Sequence, residues 1–302
     1  MKSTAIVVPL PGGDDQARKL AARLGAELVV PEVHVFPDGE LCIQVDPARV
    51  AGRDAVLCGS LHQIAGTTDR FLLLAFVADT LRDHGARRVG LVAPYLAYMR
   101  QDEAFAPGQG VSARYFGKLV SRTVDWLVTV DPHLHRLPSL DGIYSIPTTI
   151  ARAAPSIASW IASEVTHPVL VGPDAESVQW VQAVAEHCGA EFVILEKTRR
   201  GDRDVSVAGG VQRAWNGHQP VLIDDIVSTG RTMIEATRLL RAAGSVAPVC
   251  VAIHAVFADA VDDQLTGAGA RGIVTCDTIP HATNRICVAD PIAEAVRGHL
   301  TA

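Results

Sequence analysis

Short runs of aliphatic, often β-branched residues alternate with longer stretches of helical periodicity along this whole chain. That alternation is the pattern of an α/β protein, because parallel neighbouring strands can be joined only through long crossovers, usually helices. Ala5–Leu10, Ala55–Gly59, Arg88–Ala93 and Trp126–Val130 read as strands, with helices expected over Asp14–Leu24, Thr68–Asp83 and Ser112–Ser121. Within Asp14–Leu24, the residues Ala17, Leu20, Ala21 and Leu24 share one helical face. Most of the strands are apolar throughout, as expected when both faces of a parallel sheet are covered. Phe36–Val45 differs: the Pro37-Asp38-Gly39 turn within it predicts an excursion from the sheet.

The alternation then restarts. A helix is expected over Thr148–Val165 despite Pro155, then a strand at Val169–Gly172 and a helix at Ala175–His187. Strands at Phe192–Leu195 and Val221–Ile223 precede a helix at Arg231–Ala243. Val246–Val256 and Gly272–Cys276 read as strands, Ala260–Gly267 and Pro291–Leu300 as helices. A length of 302 residues accommodates two domains. The boundary is expected near residue 148, giving domains of 1–148 and 149–302. Their similar length and order suggest internal duplication, although no residue-level repeat is visible.

Composition removes several classes. Hydrophobic residues make up 48%, which excludes a disordered chain. The net charge of −6 argues against a nucleic-acid partner, which needs a basic face. No apolar stretch approaches the roughly 20 residues that span a bilayer, and Met1–Thr4 runs straight into an apparent strand without a signal peptide. The six cysteines form no Cys-x-x-Cys pair, so neither zinc nor a disulfide framework is expected. Thiols buried in a reducing cytoplasm are the simpler account.

The segment with the most chemistry is Val221–Thr232. An apolar strand ends in two carboxylates, Asp224 and Asp225, followed by the loop residues Ser228, Thr229 and Gly230, and a helix opens at Arg231 and Thr232. Backbone N–H groups at the helix start, together with the Ser228, Thr229 and Thr232 hydroxyls, can hold a phosphate, and the helix dipole adds to the attraction. Asp224 and Asp225 can accept hydrogen bonds from ribose hydroxyls or face Mg²⁺. An ordinary capped helix would explain Ser228 or Thr229 as N-cap. It does not explain two adjacent acids at a strand end.

This stretch resembles the phosphoribosyl-diphosphate-binding loop shared by phosphoribosyltransferases and ribose-phosphate diphosphokinases. Further segments resemble the diphosphokinase family, in its order, through nearly the whole chain. Phe36-Pro37-Asp38-Gly39-Glu40 and Pro94–Asp102, with Arg100, Gln101 and Asp102, look like its two nucleotide-site segments. Val130–His135 looks like its metal-site histidine motif, Gly172-Pro173-Asp174 like its second metal position, and Glu196–Arg199 like the start of its catalytic loop. The end of the chain, from Thr278 to Ala289, is also similar.

The resemblance implies two phosphoribosyltransferase-like α/β domains, each a mostly parallel sheet flanked by helices, with the site at the strand ends of the second domain and closed by the first. It implies transfer of the diphosphoryl group of ATP to ribose 5-phosphate. Phe36, Asp38, Gly39, Glu40, Arg100, Gln101 and Asp102 would then meet ATP. Phe36 can stack on a base, Asp38 and Glu40 can accept from an amino group, and the Arg100 fork matches phosphate oxygens. Arg199, Asp224, Asp225 and Ser228–Thr232 would hold ribose 5-phosphate. His133 and Asp174 would carry Mg²⁺, with His135 supporting. Lys197 and Arg199 would stabilise the transition state as charge builds on the transferred group. Simpler roles exist for several of these residues: Asp38 in a surface turn, Arg100 in a salt bridge with Asp102 or Glu103, Asp174 as an N-cap, Lys197 and Arg199 in a solvated loop. A homo-oligomer in the cytoplasm is implied by analogy.

Three departures stand out. Arg231 occupies a position where the family usually has a second glycine; it can add a phosphate contact or crowd the loop. Ala175-Glu176-Ser177 follow Asp174 where small, glycine-rich residues are usual. Glu103–Gly110 does not resemble the basic regulatory loop of bacterial and mammalian members and is closer to the archaeal type, implying weak or absent inhibition by ADP. A phosphoribosyltransferase or a non-catalytic regulatory paralogue are the alternatives. Gly267–Gly272 fits G-x-G-x-x-G, but it precedes a strand, and neither a Walker loop nor a G-x-S-x-G elbow is present.

Overall fold

The computed structural model describes residues 5–62, 67–134, 136–196, 206–207, 217–258 and 260–300. The chain divides into two compact units, one formed by Met1–Ala151 with Ala289–Ala302, the other by Arg152–Val288.

The first unit holds a six-stranded sheet built from β1 (Ala5–Pro9), β2 (Glu27–Leu28), β5 (Asp54–Cys58), β6 (Arg88–Ala93), β7 (Trp126–Val130) and β8 (Thr148–Ala151). Its order is β2-β1-β5-β6-β7-β8, with every pairing parallel. Helices α1 (Asp14–Leu24), α3 (Thr67–Asp83) and α4 (Ser112–Thr123) make the crossovers. β1, β5 and β7 are buried at every position; β1 is apolar throughout, whereas β5 opens on Asp54 and β7 carries Thr129. The excursion expected at Phe36–Val45 is a separate antiparallel hairpin of β3 (Glu32–Val35) and β4 (Leu41–Gln44), before a one-turn helix α2 (Pro47–Val50).

The second unit holds β9 (Pro168–Gly172), β10 (Phe192–Glu196), β11 (Ser206–Val207), β12 (Gln219–Val227), β13 (Val249–Ala255), β14 (Gly272–Cys276) and β15 (Asn284–Ile286). They run in the order β11-β10-β9-β12-β13-β14-β15. All pairings are parallel except β10 with β11. Helices α5 (Ala154–Glu164), α6 (Val178–Cys188), α7 (Arg231–Ala242) and α8 (Val261–Gly267) flank this sheet. Val171, Leu222, Cys250 and Ala252 on the strands pack with Met233, Leu240 and Leu265 from α7 and α8. Setting β3, β4 and β11 aside, each sheet has its second strand at one edge, next to the first, followed by the third to the sixth in order. The repeat that the residues do not display is therefore present in the topology.

Three expectations need correction. Thr148–Val165 is not one helix: Thr148–Ala151 is the edge strand β8, paired with β7, and α5 begins at Ala154. Pro155 lies in the first turn of α5, where its missing N–H has no intrahelical acceptor to lose. β12 does not stop at Ile223; it continues through Val227, so both acids are inside the strand. The last helix, α9 (Ala289–Arg297), belongs to the first unit, not to the second domain. There Arg23 of α1 forms a two-bond ion pair with Asp290, and the ring of His299 stacks on Trp126 at 4.8 Å.

Candidate active site

In the second unit, parallel order brings the C-terminal ends of β9 and β12 side by side, and the loops that leave them carry the acids and the hydroxyls. The loop after β12 turns at Gly230, which has a left-handed φ of 69°. A Cβ there would lie 2.9 Å from Val261 Cγ1, so both conformation and space favour glycine. Ala258 N–H donates to the Ser228 carbonyl at 2.9 Å and pins the loop to the segment leaving β13. α7 then starts at Arg231, and its first turn presents N–H groups that have no intrahelical acceptor.

Side chains alternate along β12, and the two acids differ accordingly. Asp225 is 4% exposed and accepts from Ile226 N–H at 2.7 Å. Asp224 is partly exposed and accepts from Asp225 N–H at 3.0 Å. Burial, reinforced by the negative charges of Asp225 and Asp174, pushes the Asp224 carboxyl up to about 8. Asp174 caps the short helical turn Ala175–Ser177 by accepting from Glu176 N–H at 3.0 Å, and Ser177 Oγ donates to its carbonyl at 2.6 Å. It is thus an N-cap and a charge close enough to act on Asp224. Ala175-Glu176-Ser177 supply this capped turn in place of glycines.

Arg231 lines a cavity of about 820 Å³ with Thr229, Glu235, Arg238 and Gln264. Lys197, Arg199 and His135 lie outside the described residues.

In the first unit, the β3–β4 turn is closed by Phe36 N–H to the Glu40 carbonyl at 2.8 Å and Glu40 N–H to Asp38 Oδ1 at 3.1 Å. Phe36 is 43% exposed and meets His34 edge-on at 4.6 Å; Asp38, Gly39 and Glu40 are exposed as well. After β6 the chain reverses at Tyr98, whose φ of 66° is costly for a non-glycine residue. Arg100 and Gln101 are exposed just beyond it. Arg100 makes no ion pair among the described residues. Its two candidate partners are taken by Arg136, whose Nη1 meets Asp102 Oδ1 and whose Nε meets Glu103 Oε1, each at 2.9 Å. Asp102 is buried. After β7, Asp131 holds a φ of 30° and its N–H donates to the Ala151 carbonyl at 3.2 Å, leading into half-buried His133. Sequence reasoning missed Arg136. A base three residues after His133, facing an adjacent acid pair after Arg100, was the signal available.

Among the described residues no three of His, Cys, Asp and Glu converge as a ready-made metal cage. Mg²⁺ needs none: it keeps several waters and takes one or two carboxylates together with substrate phosphates. The mutual repulsion of Asp174, Asp224 and Asp225 and their hard oxygen donors fit such a cation.

The sequence matches two family models: the N-terminal domain of ribose phosphate pyrophosphokinase over residues 6–123, and the phosphoribosyl transferase domain over residues 140–290. A ribose-phosphate pyrophosphokinase of Methanopyrus kandleri is 34% identical over 294 residues, covering 96% of this chain and 98% of the relative. The chain belongs to the ribose-phosphate pyrophosphokinase family. Another member, from Halobacterium salinarum, is 35% identical over 295 residues, with 95% and 99% of the two chains covered. These family relatives are archaeal, in keeping with the character of Glu103–Gly110. The fold agrees with the crystal structure of phosphoribosylpyrophosphate synthetase from Mycobacterium smegmatis at a TM-score of 0.80 and 24% identity, over 98% of each chain.

Proposed function

We propose that the protein transfers the diphosphoryl group of ATP to ribose 5-phosphate, giving 5-phosphoribosyl 1-diphosphate and AMP for nucleotide biosynthesis. The observation that carries this reading is the pairing of an acid-bearing strand end and phosphate loop in one unit with full-length similarity to ribose-phosphate pyrophosphokinases. The anomeric oxygen attacks the β-phosphorus, its proton is lost, and the bond from that phosphorus to the oxygen shared with the α-phosphate breaks. Such transfers require mainly positioning and charge stabilisation from the protein.

The second unit takes ribose 5-phosphate. Backbone N–H groups and hydroxyls of Ser228–Thr232 cradle the 5-phosphate, while Asp224 and Asp225 orient the ribose hydroxyls. The first unit takes ATP, with Phe36, Asp38, Gly39 and Glu40 on the base side and Arg100 and Gln101 toward the phosphates. For Mg²⁺, which offsets phosphate charge when bound, the ligands would be His133 on the first unit and Asp174, with Asp224 alongside, on the second. Lys197 and Arg199 meet the charge that develops during transfer. The enzyme acts as a homo-oligomer in the cytoplasm. Among the described residues no helix is long and apolar enough to cross a membrane.

A plain phosphoribosyltransferase would leave the match over residues 6–123 without a purpose. The test is AMP formation from ATP and Mg²⁺ with and without ribose 5-phosphate. Ribose-dependent AMP is expected, and Lys197→Ala should lower kcat by about 10²–10³. No AMP with intact ribose 5-phosphate binding would instead support the regulatory paralogue, and an unchanged rate in the variant would remove Lys197 from the mechanism.

A further inference from the structure

We propose that Arg136 is a positioning residue for ATP, locking the segment that carries Arg100 and Gln101 to the loop that carries His133; this rests on the reading of those residues given above. The guanidinium is used on three sides. Nη1 pairs with Asp102 Oδ1 and Nε with Glu103 Oε1, and the plane sits over the Phe105 ring at 5.1 Å from its centroid. The contact joins segments 34 residues apart in sequence.

The Asp102 side chain is only 1% exposed, and its Oδ2 has no hydrogen-bond partner among the described residues. Arg136 therefore supplies the compensation for a buried carboxylate, and loss of that compensation is costly to local order. The neighbouring backbone has few other ties: Gln101 N–H donates to the Tyr98 carbonyl at 3.0 Å, and the Gln101 carbonyl accepts from Ala113 N–H at 3.1 Å. Without Arg136, Arg100 and Gln101 keep their chemistry but lose their fixed register with His133. A lysine can replace the charge toward one acid, but not the planar fork toward two or the stacked face.

The test compares the full-length wild type with Arg136→Gln and Arg136→Lys, in steady-state kinetics and in direct calorimetric titration with ATP. Arg136→Gln should raise KM for ATP by about tenfold, the scale of misplaced contact groups, with KM for ribose 5-phosphate within about twofold. Arg136→Lys should fall between the two proteins. An unchanged KM for ATP, or equal rises in both KM values, overturns the proposal, since general loosening does not select one substrate. If Arg136→Gln does not fold, Arg136→Lys decides: a rise of about threefold in KM for ATP alone supports the role, and none refutes it. A wild type that forms no ribose-dependent AMP defeats the functional reading instead. The titration then decides, with ATP binding about tenfold weaker in Arg136→Gln expected, and equal binding or a wild type that binds no ATP overturning the proposal.

Discussion

The carboxylate of Asp174, leaving β9, acts on that of Asp224 in the neighbouring strand β12 and helps raise it to about 8. Burial is the larger cause, and Asp225 adds to it. The folded protein thus holds a proton on Asp224 that the unfolded chain gives up above its ordinary value of 3.8. The stability contributed by this group is full below 3.8 and declines as pH rises toward 8. Asp224→Asn should therefore raise the Tm of the metal-free protein at pH 8 by about 2–4 °C, the shift that about 1 kcal/mol produces in a domain of this size. Mg²⁺ should raise the wild-type Tm at that pH and do so less in the variant, because ligand binding to the folded state is stabilising. Thermal unfolding with and without Mg²⁺ checks both. A lower Tm in metal-free Asp224→Asn would remove the electrostatic argument.

Gly172 and Ser177 make a second coupled pair. A Cβ on Gly172 would lie 2.4 Å from Ser177 Oγ and 2.5 Å from Ile194 Cδ1. The Ser177 hydroxyl occupies that space because it donates to the Asp174 carbonyl. Gly172→Ala should cost about 1–3 kcal/mol, as overpacking usually does. Ser177→Ala in the same chain should recover part of that loss, which denaturant unfolding of the two single variants and the double variant measures. Purely additive losses would show that the crowding lies with Ile194 instead.

Much of this organisation was legible because strands covered on both faces are apolar throughout. Asp14–Leu24, Arg88–Ala93, Trp126–Val130 and Gly272–Cys276 occupy the residues expected of them. The failures have local causes. Thr148–Ala151 is a strand because β-branched residues can pair with the exposed edge of β7; helical periodicity in the following residues concealed the change. Asp224 and Asp225 read as the end of a strand because charge normally ends burial. Here their carboxylates accept from the N–H groups of Asp225 and Ile226 and remain within the ladder. The return of α9 to the first unit depends on pairs such as Arg23 with Asp290 and Trp126 with His299, and no periodicity encodes partners so distant in sequence. Arg136 was obscure for the same reason: its acids precede it by a whole helix and strand.

His62 provides a test of pH dependence away from the phosphate loop. It lies 7% exposed beyond the end of β5, and burial, followed by the charge of Arg70, lowers its ring to about 4. The folded protein keeps the ring neutral where the unfolded chain protonates it below 6.5. Stability should therefore fall as pH drops from 6.5 to 4, by about 2 kcal/mol at pH 5. His299, lowered by burial and by Arg88, adds in the same direction. Urea midpoints at pH 7 and 5 should separate for the wild type and separate less in His62→Asn, where His299 alone of the two remains. Equal separation in both would assign the loss to other groups.

Arg231→Gly restores the residue usual in the family loop and asks what holds the phosphate. If backbone N–H groups and the Ser228 and Thr232 hydroxyls form the cradle, the guanidinium of Arg231, a residue that lines a cavity with Thr229, Glu235 and Arg238, is dispensable. KM for ribose 5-phosphate should then stay within about threefold of wild type, whereas loss of a charged phosphate contact would raise it by about 10–100-fold. Thr232→Ala should show a larger effect than Arg231→Gly for the same reason. Some destabilisation accompanies Arg231→Gly, since glycine adds freedom to the unfolded chain at a helix start, by at most about 1 kcal/mol. Measuring KM and Tm together separates the two effects: a lower Tm with an unchanged KM leaves the cradle to the loop itself, and a 100-fold rise in KM would make Arg231 a phosphate ligand that the family's glycine cannot replace.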